Sequence, residues 1–267
     1  MVLAHRVDGG GPSLLLLNGG LMSLGAWEEY IPSLATAYRV VRCDFRGQLL
    51  GPGPLPPSFE GHAHDLAELL DLLAIDAAHL VGTSFGALVG LLFTALHPDR
   101  VRSLTAVTAT DRIRPEASAA SLEVIAACRG AAQGGDGGRV LDLVAPYAFS
   151  GRYLATHADL VARRRAQIAA LPRAWFEGLA GLIGSLEGLD LTPWLGRIRC
   201  PTLVVAAEND RTFPVEEARA LAAAIPGARL EVVPDAAHGL VVEDPKPLMA
   251  ILNEFLVPLT REQEGRS

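Results

Sequence analysis

The sequence has few cysteines, no long apolar run and no excess of positive charge, and each shortage excludes a class of protein. Its three cysteines, Cys43, Cys128 and Cys200, are isolated, which argues against a disulfide framework and against a zinc cluster. No apolar run approaches the roughly 18 to 20 residues that cross a membrane, and the net charge of -7 argues against nucleic-acid binding. The first residues lack the basic and apolar regions of a secretion signal. We therefore expect a soluble, cytoplasmic protein with no membrane or nucleic-acid partner.

The chain alternates two kinds of segment. Segments that are β-branched or rich in leucine predict strands at Val2–Val7, Ser13–Leu17, Arg39–Cys43, Ala78–Gly82, Ser103–Ala109, Thr202–Ala207 and Arg229–Pro234. Helical segments are predicted near Gly25–Thr36, Phe59–Ala74, Phe85–Leu96, Pro214–Ile225 and Leu248–Leu256. Several strand segments are apolar throughout, which is typical of strands covered on both faces of a sheet. The alternation predicts an α/β fold with a doubly wound, mostly parallel sheet of about seven to eight strands.

The alternation stops after Asp111 and resumes only at Cys200. In between, apolar residues recur at helical spacing, and glycines and prolines interrupt the pattern. We predict a helical cap over residues 112–199, inserted into an α/β core of residues 1–111 and 200–267. Because the insertion leaves from the carboxyl end of a strand, it should cover the rim where open α/β sheets bind ligands.

The stretch HLVGTSFGALVG places Ser84 between glycines, where a predicted strand meets a predicted helix. A sharp strand-to-helix turn strains its central residue, and glycines two positions before and after it remove steric clashes. The turn lifts the serine hydroxyl out of the surface, beside the free amides of the helix start. The sequence therefore predicts Ser84 as a nucleophile, with the amide of Phe85 as one donor of an oxyanion hole. A tight turn with an incidental serine is the alternative.

A serine nucleophile needs a base, and His238 has the most suitable place among the histidines. It follows the last predicted strand in a short polar loop, from which it can reach the carboxyl edge of the sheet. The acid that orients it should end a neighbouring strand. Asp210, just after the strand at Thr202–Ala207, is the leading candidate, and Asp111, one strand earlier, is its rival. Asp235 is too close in sequence to His238 to orient it easily, and we expect it to shape the loop.

Four motifs together resemble the α/β-hydrolase superfamily over nearly all of the chain: LLLLNGGLMSLGAW, GTSFG, PTLVVAAEND and PDAAHGLVVEDP. The resemblance implies a catalytic triad of Ser84, Asp210 and His238, and a second oxyanion-hole amide from Gly20 or Leu21. The chemistry of such a triad needs no metal and no organic cofactor. A serine at the nucleophile position disfavours the dehalogenase and epoxide-hydrolase branches, which use aspartate there.

The chain departs from the pattern of this superfamily in three places. Asn18 and Gly19 replace a histidine–glycine pair, and we expect Asn18 still to hydrogen-bond the loop. The sequence RGQL at Arg46–Leu49 replaces RGHG, so Gln48 keeps the polarity of the loop while the missing glycine affects its path. The first strand of the usual N-terminal hairpin has no counterpart, which predicts a sheet of seven strands.

The predicted function is hydrolysis of a carboxylic ester through an acyl-enzyme, with a small molecule as substrate. Apolar residues near the nucleophile and in the cap indicate a pocket for a small or medium apolar group, namely Leu21, Met22, Phe85, Trp175 and Phe176. Packing between cap helices explains the two cap aromatics at least as well. Lactones, thioesters and carbon–carbon bonds are alternative targets. Acyl transfer, perhydrolysis and a non-catalytic small-molecule receptor are alternatives of another class, because a fold does not fix a function. The sequence leaves open whether the chain is a monomer or a homodimer.

Overall fold

The chain builds one twisted sheet with helices on both faces. In a computed structural model, which describes residues 2–264 and the side chains of 2–115 and 119–260, this sheet has seven strands. They are β1 (Ala4–Asp8), β2 (Ser13–Leu17), β3 (Arg39–Asp44), β4 (Ala78–Thr83), β5 (Val101–Val107), β6 (Thr202–Ala207) and β7 (Arg229–Val233). The order is β1-β3-β2-β4-β5-β6-β7, and only β1 runs antiparallel to its neighbour. The predicted fold class and seven-stranded sheet are confirmed.

Helices connect the parallel strands. In the core they are α1 (Ile31–Leu34), α2 (Glu60–Leu72), α3 (Phe85–Leu96), α10 (Val215–Ala224), α11 (Leu240–Glu243) and α12 (Pro245–Glu264). Between β5 and β6 lie α4 (Pro115–Ala132), α5 (Arg139–Ala148), α6 (Gly151–Thr156), α7 (Ala158–Ala169), α8 (Arg173–Gly184) and α9 (Thr192–Leu195). Two short 3-10 helices cover Leu24–Trp27 and Pro98–Arg100.

Two predicted helices differ in extent from the observed ones. The prediction of one helix over Gly25–Thr36 is wrong, because a 3-10 turn and the four-residue α1 replace it. Pro32, in the first turn of α1, has no amide hydrogen, and this favours a helix that begins there over one that runs through. The final helix, α12, extends beyond the predicted Leu248–Leu256 at both ends.

Both faces of the sheet are buried, and β2 shows this most directly. Leu15 and Leu17 pack into the apolar cluster that includes α2 and α3, whereas Leu14 and Leu16 pack into the cluster on the other face with α12. This two-sided burial explains why the strand is apolar throughout rather than alternating. Strand β4, which leads into α3, lies between β2 and β5 in the middle of this buried sheet.

Helices α4 to α9 share apolar contacts of their own. Parts of α4, α5 and α8 enclose a cluster that includes Cys128 and Trp175, which we call the cap cluster. The chain enters and leaves this region side by side, with the amide of Leu191 donating to the carbonyl of Asp111 at 2.9 Å. The division into a core and a cap domain stays a prediction. Within residues 2–264, no helix combines the length and the hydropathy that a membrane crossing requires.

Candidate active site

The residues predicted to act together follow different strands but meet at one edge of the sheet. Ser84 comes directly after β4, Asp210 follows β6 and His238 follows β7. Since these strands are parallel, their carboxyl ends lie along the same edge. Open α/β sheets bind their ligands at this edge.

Ser84 occupies a strained turn between β4 and α3. Its backbone has φ 50° and ψ -119°, a combination that residues with a side chain rarely adopt. A Cβ on Gly82 would lie 2.6 Å from the carbonyl oxygen of Gly86, and a Cβ on Gly86 would lie 2.4 Å from the carbonyl oxygen of Leu17. The turn therefore requires glycine at both positions. Because α3 begins at Phe85, the Phe85 amide is one of the first-turn donors that have no partner within the helix.

His238 lies between Ser84 and Asp210 and hydrogen-bonds both. Its Nδ1 is 2.8 Å from Oδ2 of Asp210, and its Nε2 is 2.8 Å from Oγ of Ser84. An ionised carboxylate only accepts, so Nδ1 carries the proton and Nε2 accepts from the serine hydroxyl. The other carboxylate oxygen of Asp210 accepts the amides of Thr212 and Phe213 at 2.8 and 2.9 Å. The side chain of Asp210 is 1 % exposed, so its position is fixed on both oxygens away from water.

The two other candidate aspartates lie nearby in different environments. The carboxylate of Asp111 is 3.1 Å from Nη2 of Arg114 and 3.3 Å from Nε of Arg112. Asp235 has φ 58° and lies in the turn that follows β7. Within the described residues, neither of them hydrogen-bonds His238. Asp111 instead forms ion pairs where the chain enters the helical insertion.

A buried polar cluster braces the loop that follows β2. The side-chain nitrogen of Asn18 donates to Oδ1 of Asp44 at 2.9 Å, and its oxygen accepts from the indole nitrogen of Trp27 at 2.8 Å. Gln48 donates from Nε2 to the carbonyl of Gly19 at 2.7 Å. The residues that depart from the superfamily pattern thus hold the loop together. The sequence reasoning missed Asp44 and Trp27, although an acidic residue at the end of a buried strand is a signal that could have found Asp44.

The candidate second oxyanion donors, the amides of Gly20 and Leu21, lie in this braced loop. The amide of Met22 donates to the carbonyl of Gly19 at 3.0 Å, which closes a turn around the two candidates. The amide of Gly19 itself faces Sδ of Met22 at 3.2 Å. A Cβ on Gly19 would lie 3.7 Å from Cβ of Ser84, so the loop passes directly beside the serine. The identity of the second donor stays a prediction.

The residues predicted to line a pocket lie in three different places. Trp175 and Phe176 are buried in the cap cluster, with ring centroids 5.1 Å apart. Leu21 is half-buried and packs against the same cluster, whereas Met22 packs against the sheet. The ring of Phe85 belongs to a buried aromatic group in the core. The burial of the two cap aromatics favours a role in packing, and Leu21 joins the cap cluster to the loop beside the serine.

Two histidines away from Ser84 are buried in the core. Burial, followed by the positive charge of Arg46, lowers the pKa of His62 to about 4. Burial, followed by the charge of Arg102, lowers the pKa of His79 to about 4 as well. Both are therefore neutral at neutral pH. In the part of the chain that the structure describes, no three His, Cys, Asp or Glu side chains form a group that could hold a metal ion.

Comparison with known proteins identifies the family. The family model of the alpha/beta hydrolase fold matches residues 12–245. The chain belongs to the α/β-hydrolase family. One relative of this α/β-hydrolase is "Putative carbamate hydrolase RutD" of Stutzerimonas stutzeri, 29 % identical over 262 residues that cover 95 % of each chain. Another is the pimeloyl-(acyl-carrier protein) methyl ester esterase of Chromobacterium violaceum, 28 % identical over 93 % of this chain and 95 % of that one.

A solved structure extends the comparison. The enol-lactonase from Burkholderia xenovorans LB400 superposes on this α/β-hydrolase with a TM-score of 0.83, at 26 % identity over 96 % of each chain. The names of these proteins agree on hydrolysis and differ in the bond that is cleaved. The comparisons therefore support a hydrolase and leave its substrate open.

Proposed function

We propose that the protein is a serine hydrolase that cleaves carboxylic esters through an acyl-enzyme. The hydroxyl of Ser84 attacks the ester carbonyl while Nε2 of His238 takes its proton. Asp210 holds the imidazole in the accepting tautomer and stabilises the imidazolium that forms. His238 then protonates the departing alcohol, and a water activated by the same nitrogen releases the acid. The same three residues serve both halves of the reaction.

The tetrahedral intermediate carries its charge on the former carbonyl oxygen. The amide of Phe85 at the start of α3 and the amide of Gly20 or Leu21 stabilise this oxyanion. One such donor is worth about 3 kcal/mol of transition-state stabilisation in enzymes of this chemistry. The scheme requires neither a metal ion nor an organic cofactor.

The continuous hydrogen-bonded chain from Asp210 through His238 to Ser84 carries the proposal. A serine that only completes a turn has no need of a histidine–carboxylate pair behind its hydroxyl. Its backbone conformation also costs about 1 to 3 kcal/mol, and such strain is concentrated at functional sites. Non-covalent binding by a small-molecule receptor requires neither feature.

An ester with a small or medium apolar part is the favoured substrate. Leu21 and Met22 provide apolar surface on the loop that passes beside Ser84, while Trp175 and Phe176 support it by fixing the cluster against which Leu21 packs. The name of the RutD relative favours a carbamate as a second candidate, since its carbonyl is open to the same attack. The cysteines are free thiols, which supports a reducing, cytoplasmic location.

Labelling with a fluorophosphonate tests the nucleophile. We expect one adduct by intact mass on the unmodified protein and on Ser33→Ala, a control at an exposed serine, and no adduct on Ser84→Ala. If the unmodified protein stays unlabelled while a known serine esterase reacts, the proposed mechanism is wrong. An adduct that persists in Ser84→Ala would assign the reaction to another residue.

A panel of substrates tests which kind of bond the enzyme cleaves. We expect the highest kcat/KM with nitrophenyl esters of short to medium chain length, compared with an aryl carbamate, lactones, a thioester and a diketone. A higher kcat/KM for the carbamate would replace the ester assignment and leave the serine mechanism standing. Added alcohol or peroxide measures acyl transfer, and transfer that far exceeds hydrolysis would show that water is not the acceptor.

A further inference from the structure

The loop that carries His238 is attached to the helical insertion on its C-terminal side. The amide of Gly239 donates to the carbonyl of Ala148, at the end of α5, with a distance of 2.6 Å. A Cβ on Gly239 would lie 2.8 Å from that oxygen and 3.2 Å from the ring of Phe149. The residue after the histidine therefore has to be glycine for this close contact to form.

The same loop is attached on its N-terminal side through Glu243 of α11. One carboxylate oxygen of Glu243 accepts the amide of Ala237 at 3.2 Å and the amide of Ser150 at 3.1 Å. The other oxygen forms a short hydrogen bond with the hydroxyl of Ser150, the residue that caps α6. Ala237 immediately precedes His238. The carboxylate thus joins the histidine loop to the segment between α5 and α6.

We propose that Glu243 is a positioning residue that sets the place of His238 by clamping its loop to the segment Ala148–Ser150. This inference rests on the proposed function of His238 as the base. The bonds fall on both residues that flank the histidine, so the loop cannot move relative to the segment Ala148–Ser150 without breaking at least one of them. Movement of the helical insertion would then change the position of the base as well as the shape of the pocket.

The donor set explains why a carboxylate is needed at this position. Two amides and one hydroxyl converge on the side chain of Glu243, and an ionised carboxylate offers acceptors to all of them. A glutamine offers one acceptor oxygen and would turn its own NH₂ towards a donor. An alanine leaves the amides of Ala237 and Ser150 without this partner. We therefore expect a larger fall in kcat for Glu243→Ala than for Glu243→Gln.

Steady-state kinetics of Glu243→Gln and Glu243→Ala test the role. We expect kcat for a nitrophenyl ester to fall about tenfold or more in Glu243→Ala, because small displacements of a catalytic group have effects of this size. KM should change by less than about threefold, since the substrate contacts are untouched. The rate of fluorophosphonate labelling at Ser84 should fall by a factor similar to that of kcat. Glu254→Ala, at a 79 % exposed glutamate of α12, is the matched control and should change neither rate.

Two further measurements separate positioning from a general loss of structure. Gly239→Ala disturbs the other attachment of the loop without touching Glu243, and it should reduce kcat in the same way. The downfield proton resonance of His238 Nδ1 reports its bond to Asp210 without any turnover, and we expect it to shift or broaden in Glu243→Gln. Melting curves show whether Glu243→Ala is folded. If it is not, the kinetics of Glu243→Gln and Gly239→Ala test the proposal.

The outcomes distinguish a failure of the role of Glu243 from a failure of the proposed function. Folded Glu243 variants with unchanged kcat, labelling rate and His238 resonance would overturn the proposal. If the unmodified protein neither hydrolyses esters nor reacts with the fluorophosphonate, the proposed function fails. The His238 resonance still tests the clamp in that case, since a change in Glu243→Gln supports it and an unchanged spectrum refutes it.

Discussion

Gly86 and Gly90 lie one turn apart in the buried helix α3, and their surroundings predict opposite responses to alanine. A Cβ on Gly86 would lie 2.4 Å from the carbonyl oxygen of Leu17 and 2.6 Å from that of Asn18. At Gly90 the nearest atoms are methyl groups of Leu104 and Leu17 at 3.4 Å. We expect Gly86→Ala to damage stability and activity, and Gly90→Ala to be tolerated.

The magnitudes follow from two opposing effects. Alanine gains about 1 kcal/mol over glycine in a helix interior, and this gain applies to Gly90, whereas Gly86 lies in the first turn of α3 and gains less. At Gly86 the clash is with main-chain oxygens at the end of a central strand, which cannot rotate away as a side chain can. Overpacking of this kind costs about 1 to 3 kcal/mol, and the upper end applies here. The net change is a loss of about 2 to 3 kcal/mol for Gly86→Ala and a gain of up to about 1 kcal/mol for Gly90→Ala.

Thermal unfolding followed by circular dichroism measures the difference. For a protein of this size, about 1 kcal/mol shifts the melting temperature by roughly 2 to 4 °C. Gly86→Ala also pushes the start of α3 away from the loop of Asn18, so kcat for an ester should fall with the loss of oxyanion stabilisation. If Gly86→Ala melts at or above the temperature of Gly90→Ala, the close approach of helix and strand does not limit this position, and the reasoning is refuted.

Two more predictions concern single buried or strained positions. The free energy of unfolding of Ser84→Gly should exceed that of Ser84→Ala by about 1 kcal/mol, because glycine relieves the strain at φ 50° that alanine retains. Ser84→Gly should therefore melt at a higher temperature, and equal melting temperatures would contradict the prediction. The pKa of His62 is lowered from 6.5 to about 4, so between these pH values the imidazole is protonated in the unfolded chain and neutral in the folded one. Protonation of the unfolded chain therefore leaves the free energy of unfolding nearly unchanged above pH 6.5 and lowers it as the pH drops towards 4. Between pH 7 and pH 5 the decrease is about 2 kcal/mol. Urea unfolding at these two pH values should show that His62→Phe removes this loss and that His64→Phe, at an exposed position, does not.

The sheet was predictable because its strands bury both faces. Continuous apolar runs as short as the one at β2 have few other interpretations, and the prediction places each strand within a few residues of its observed position. The helix between β2 and β3 was not predictable to the same degree. The spacing of apolar residues over Gly25–Thr36 does not show that Pro32 favours the start of a new helix over the continuation of an earlier one. The segment therefore forms a 3-10 turn and a separate short helix.

The site was predictable to the extent that strand ends define it. Ser84, Asp210 and His238 each follow a strand, so the topology brings them to one edge, where their side chains lie within hydrogen-bonding distance. Their chemical roles stay predictions. The bonds of Asn18 to Gln48 and of Ser150 to Glu243 could not be inferred, because they join residues 30 and 93 positions apart in segments without a motif that links them.

Ser84 and His238 are therefore held by different parts of the molecule. Ser84 is fixed by the sheet and α3, with glycines that allow main chain to contact main chain, while Leu191 and Leu195 of the insertion pack into the core cluster that contains α3. His238 lies in a loop whose neighbours are bonded to the end of α5 and the start of α6. A change in the insertion should therefore disturb His238, the proposed base, more than Ser84, the proposed nucleophile. We therefore expect that exchanging the insertion for that of a relative would alter kcat as well as the choice of substrate, and that restoring Ser150, the residue of the insertion that bonds Glu243, would recover kcat first.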